Sequence, residues 1–260
     1  MSNASDALAN YLQPYIKDIH KHYEWSFDEA KAKLLTGRNY SVFPDWYSKT
    51  VQLKQDLRAM LEASTNTDTR FHIARYYIED WGRVSTNKSL RVVIDALSER
   101  LVRSNSDFHN IPLKGVSSWS KYLCLCCDRA AIYDSRVAYS INAIRYMAGD
   151  ADQFFPIPEG RRPRLTLIDI ETLFVVSLLK SGALDLEKDF RHRQFSARAK
   201  KRFHIDDNQT YSVYLQLLDD TAKALGLPRD EFYKVEMLLF ALAPGKVLAD
   251  LIMHVHHTSA

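Results

Sequence analysis

Apolar residues recur at three- and four-residue spacing along nearly the whole chain. Over residues 5–22, Ala7, Leu8, Tyr11, Leu12, Tyr15 and Ile19 share one helical face. Pro14 inside that run predicts a bend or a late start. Ser26, with Glu29 three residues on, predicts a capping box for a helix that stops near Gly37. A loop over 38–44 follows, then helices over 45–63, 69–82 and 88–102, the last with Val92, Ala96 and Leu97 on one face. Residues 149–164 hold three prolines and two glycines and predict irregular chain. Further helices are expected over 166–180 (closed by Gly182), 211–225 (stopped by Gly226 and Pro228), 232–242 and 247–255. No segment alternates with period two for long enough to claim a strand. The pattern predicts an all-α protein, one domain over 1–260 made of two helical lobes with a cleft between them.

The stretch 111–144 departs from this ordinary amphipathic pattern. Gly115 marks a tight turn, and the helix expected after it is apolar almost all round. Lys121 is the only ionised side chain between Trp119 and Cys127, and such a charge is costly unless it has a task. Asp134 follows Ala130, Ala131, Ile132 and Tyr133 and heads a second helix, whose Val137, Ile141 and Ile144 mark a buried face. A carboxylate there can cap the helix, or it can face a cleft. The turn exposes backbone N–H groups beside a helix N-terminus, which suits a phosphate. Gly115 supplies the permissive backbone, while Ser117 and Ser118 can cap the helix and donate to phosphate. The competing reading is an ordinary helical turn with a serine cap.

A net charge of +3 on 260 residues does not by itself indicate a nucleic-acid partner. Its distribution is uneven, however. Residues 190–203 carry six Lys or Arg, no acid and three phenylalanines, and Arg161, Arg162 and Arg164 form a second basic patch. Both suit contact with a nucleic-acid backbone, against the plainer reading of a solvated basic face. Cys124, Cys126 and Cys127 fall together on the short central helix, with no second pair to complete a zinc or iron–sulfur site. Reduced, buried thiols are expected, and with them a cytoplasmic setting. No apolar run approaches the roughly 20 residues of a membrane span, and no signal-peptide pattern opens the chain. Glu236 stands alone in an apolar run, with Arg136 or Lys121 as expected partner. The run 76–81 reads as helix packing, and His254, His256 and His257 as a loose tail.

GVSSWSKYL followed by IYDSRVAYSI resembles the helix-hairpin-helix DNA glycosylases, the group of endonuclease III and the adenine-mismatch and oxoguanine glycosylases. Their hairpin runs roughly Leu-Pro-Gly-Val-Gly; here Lys114 stands for the proline and Ser117 for the second glycine. The likeness covers about thirty of the 260 residues. A weaker likeness at 235–240 is to a late helix of oxoguanine-glycosylase-like bacterial proteins. The resemblance implies a helix-hairpin-helix motif at 111–144, in a compact form without the N-terminal β-domain of larger relatives and without the metal cluster some of them carry. No cofactor is then expected.

It also implies that Asp134 is the family's carboxylate, which stabilises oxocarbenium character at C1′ once a base has left the stack. Relatives that also cut the strand use a lysine early in the helix after the hairpin. An ungapped alignment places Trp119 there, with Lys121 two residues later. Lys121 is therefore either a nucleophile or an assisting cation. The expected partner is double-stranded DNA, with Gly115, Ser117, Ser118, Arg136, Arg161 and Arg162 on its backbone. The expected activity is excision of a damaged base, or of an unusually modified one as in viral DNA, with or without cleavage of the abasic strand. The alternatives are a non-catalytic module of the same fold that recognises modified or distorted DNA, and a helical interaction protein.

Overall fold

The computed structural model describes residues 2–84, 89–103, 108–150, 153–159, 165–180, 182 and 203–259. The all-α expectation holds: 71% of the structure is helix, with no strand among the described residues. A single isolated bridge joins Phe154 and His204.

The chain opens with α1 (Ser2–Leu12), and the break predicted at Pro14 gives a tight turn over Ile16–Asp18 before α2 (Ile19–His22). Next comes α3 (Glu29–Thr36). Its cap is Asp28 rather than the expected Ser26, with Oδ1 accepting from the Ala30 and Lys31 amides at 3.0 Å each. Gly37, at φ 77°, closes it as predicted. Asp45 caps α4 (Trp46–Ala63) and Asn66 caps α5 (Thr67–Arg75). The latter runs on into a wide π-helical turn, Tyr76–Trp81, that ends at Gly82. Then follow α6 (Leu90–Arg103), α7 (Val116–Cys126), α8 (Ser135–Met147), α9 (Ile170–Lys180), α10 (Thr210–Ala224) and α11 (Tyr233–Leu242). A second π turn, Ala243–Val247, leads into α12 (Leu248–Ser259).

The two helices of the central stretch lie in the core. α7 packs against α4, α6 and the first π turn, while α8 is enclosed by α1, α9, α11, α12 and the second π turn. That enclosure explains why α7 lacks a polar face. Its Leu123 and Leu125, with Val137, Ile141 and Ile144 of α8, are buried and stabilise the fold by about 1.5–3 kcal/mol each. Lys121, on the same helix and 4% exposed, works against that gain.

Other details differ from expectation. Only Cys124 and Cys126 are helical; Cys127 is the extended residue that ends α7, and none of the three forms a disulfide. The segment holding His254, His256 and His257 is helix, with His254 edge-on to Tyr146 at 5.7 Å. No interruption separates the late helices, so the stretch Arg229–Thr258 reaches the length and mean hydropathy (1.6) of a membrane span. Of its apolar window 39% is buried inside the protein, where packing against α8 and α10 accounts for part of that hydropathy. Arg161, Arg162, Arg164 and the basic run 190–203, apart from Phe203, lie outside the described residues.

Candidate active site

Gly115 precedes α7 in the left-handed region (φ 73°, ψ 15°), which a residue with a Cβ enters only at a cost. Its exposed backbone and the neighbouring Lys114 form the outer surface of the turn. The serine cap expected here does not form. No side chain caps α7, the Ser117 hydroxyl is buried without a hydrogen-bond partner, and Ser118 is buried too. Of the three expected phosphate contacts at this turn, only Gly115 lies at the surface.

Helical side chains lean toward the N-terminus of their helix, and Lys121 does so. Its Nζ donates to the Ser117 carbonyl at 2.5 Å. Its aliphatic stem lies against Gly82, where a Cβ would come within 2.6 Å of Lys121 Cε and of the Ile78 carbonyl oxygen. Gly82 has an ordinary φ of −78°, so close approach is what requires glycine there. Burial lowers the ammonium pKa of Lys121, and the nearby Asp134 and Glu236 oppose that shift. Trp119, the other aligned position, packs edge-on against Tyr211 at 4.7 Å and donates to the Lys114 carbonyl.

Asp134 both caps and faces the chamber. Its Oδ1 accepts from the Arg136 amide (2.9 Å) and the Val137 amide (3.0 Å), and the half-buried residue lines the same cavity as Lys121. The approach to it is pinned by buried tyrosines. Tyr211 donates to the Ala131 carbonyl at 2.8 Å, Tyr214 to that of Ile132 at 2.6 Å, and Tyr133 to that of Pro156 at 2.6 Å. The carboxylate is thus carried on a rigid segment.

The cavity measures about 30 Å³. Aromatic rings wall it: Trp81 stacks on Tyr77 at 4.3 Å, and Trp25 meets Phe240 edge-on at 5.2 Å while donating to the Trp81 carbonyl. The Arg136 guanidinium lies 4.7 Å from the Phe240 ring centre and 5.3 Å from that of Trp25, which Arg83 also covers at 4.4 Å. Arg136, expected on a phosphate, here covers the rim of the chamber. Sequence reasoning missed Tyr23, Trp25, Trp81, Gly82 and Phe240. The Trp81-Gly82 pair at the end of an aromatic helical run was a usable signal, because a wide π turn there sets both residues beside Lys121.

Glu236, on α11, closes the chamber from behind. Its nearest cation is Lys54, with Nζ 3.8 Å from Oε2, and not the expected Arg136 or Lys121. That spacing is an ion pair too long for a hydrogen bond, and Oε2 has no hydrogen-bond partner. Burial pushes the carboxyl up to about 7; Lys54 and Lys121 restrain the shift and Asp134 adds to it. Among the described residues no group of three or more potential metal ligands is gathered.

Comparison with known proteins finds no matching family model, no similar curated protein and no similar solved structure.

Proposed function

We propose that this chain is a DNA N-glycosylase that flips a damaged or modified base out of double-stranded DNA and breaks its glycosidic bond. The observation that carries this reading is the meeting of Lys121 and Asp134, thirteen residues apart, on the wall of one aromatic-lined chamber. In this reading the motif at 111–144 is a helix-hairpin-helix, the cleft lies between two helical lobes, and the protein acts in the cytoplasm. Gly115 brings the turn close to a phosphate, so the duplex is held without reading sequence. Asp134 stabilises positive charge developing at C1′. Lys121, its ammonium destabilised by burial, supplies a neutral amine that attacks C1′ or assists from beside it.

The chamber has room for about one water and is far short of the roughly 300–1,000 Å³ of a ligand pocket. A base therefore enters only when Trp25 and Phe240 part, and their rings then stack on it. The same closure is the observation that favours the alternative, a module of this fold that binds distorted DNA without chemistry.

Base release from a panel of damaged and modified duplexes separates the two readings. Asp134→Asn is expected to keep duplex affinity and to lose at least about 1000-fold in rate. If Lys121 is the nucleophile, borohydride traps a covalent adduct on wild type and none on Lys121→Gln; no adduct together with alkali-labile abasic sites means that Lys121 only assists. Asp134→Asn working at the wild-type rate would overturn the reading.

A further inference from the structure

Glu236 lines two cavities and, among their described lining residues, is the one carboxylate that separates them from each other. On one side is the chamber with Lys121 and Asp134. On the other is a wider cavity of about 340 Å³ whose wall includes Lys54, Arg58 and Asp128. The side chain between them is 4% exposed, and its Oε2 lacks a hydrogen-bond partner. A buried carboxyl oxygen left in that state costs stability, so its presence calls for a reason. Resting on the glycosylase reading, we propose that Glu236 is the proton acceptor for Lys121 and passes that proton to the wider cavity.

In this step an N–H bond of the Lys121 ammonium breaks and its electron pair stays on nitrogen. The proton forms an O–H bond at Glu236 Oε2, reached through one water that gives up a proton as it takes one. A neutral amine and a neutral carboxyl result. Water in the wider cavity then removes the carboxyl proton, and the carboxylate is again held by Lys54. Burial lowers the ammonium and raises the carboxyl, so it acts on both groups in the direction that favours the transfer.

The charged groups facing Glu236 are Lys54 from α4, Lys121 from α7 and Asp134 from the head of α8. The phenols of Tyr23, Tyr77, Tyr211 and Tyr214 and the thiol of Cys124 also interact with it. Burial raises all five, so they remain neutral where Glu236 titrates.

Two measurements on the full chain test the proposal. Infrared spectra of the free protein should show a protonated-carboxyl band that titrates near neutral pH and is lost in Glu236→Gln. In single-turnover base release, Glu236→Ala should be slowed about 100-fold, and added formate should restore about 10-fold in that variant only, because the alanine leaves space the anion can fill. Absence of the band, a wild-type rate in Glu236→Ala, or a folded Glu236→Ala that formate leaves slow would each overturn the proposal. If wild type releases no base from any duplex, the glycosylase reading fails, and the band alone then decides whether Glu236 holds the proton.

Discussion

Buried polar groups are treated differently on the two sides of the central helices. Toward the segment around Phe155 most are satisfied, the Tyr139 hydroxyl and Asp150 Oδ2 being exceptions. Asn142 donates to the Phe155 carbonyl at 2.8 Å and accepts from its amide at 2.9 Å, Ser140 donates to the Leu239 carbonyl at 2.7 Å, and Tyr133 reaches Pro156. Around the chamber a larger group is left without partners. The Tyr77 hydroxyl, the Trp81 indole N–H, the Thr50 and Ser117 hydroxyls and Glu236 Oε2 are buried with no hydrogen-bond partner. Satisfied groups specify one arrangement, whereas unsatisfied ones hold unspent capacity to bind or react. The first region is built for position and the second is left poised.

That contrast can be broken by mutation, and the largest effect is expected on the satisfied side. Asn142→Leu leaves both the N–H and C=O of Phe155 buried without partners, at about 1–3 kcal/mol each. Thermal unfolding should fall by roughly 10 °C, at about 2–4 °C per kcal/mol. A variant with an unchanged midpoint would show that this network is dispensable.

Glu236→Gln should act in the other direction, and only above acid pH. The folded carboxyl is raised to about 7 from an ordinary 4.5, so its favourable contribution is complete below about 4.5 and lost as pH rises through 7. Wild type thereby gives up about 3 kcal/mol that the glutamine variant keeps. The variant's melting temperature, measured relative to wild type, should be several degrees higher at pH 8 than at pH 4.5. A pH-independent difference would mean that Glu236 is not a strained acid.

Gly82→Ala probes the chamber wall directly. The added methyl meets the Ile78 carbonyl and the Lys121 stem, so about 2 kcal/mol of stability should be lost, together with any borohydride adduct that wild type forms. Retention of the adduct would show that Lys121 reacts from another position. The smallest effect is expected at the surface. Gly115→Val forces a branched residue to φ 73° at about 1–2 kcal/mol and should weaken binding to every duplex about equally. Unaltered affinity in the folded variant would remove the turn from the proposed contact with DNA.

Local order was legible in the sequence wherever a short-range cause set it. Helical spacing predicted the all-α class, Pro14 the break after α1 and Gly37 the end of α3, and the lone Lys121 and Asp134 singled out by the sequence line one cavity. Each of these follows from backbone sterics, or from the cost of a charge among apolar neighbours, within one or two turns of chain. Competition between two plausible caps was less legible, which is why Asp28 and not Ser26 starts α3.

Tertiary packing alone decided the rest. It set Lys121 rather than Trp119 beside Asp134 and turned Ser117 and Ser118 inward. It paired Glu236 with Lys54 across 182 positions and drew Trp25, Trp81 and Phe240 into one wall. None of these contacts has a periodic signature, because each joins residues that meet only when separate helices pack. The reason is physical: a charge near its neighbours in sequence is read from local cost, but what satisfies or strands it depends on which distant surface is pressed against it.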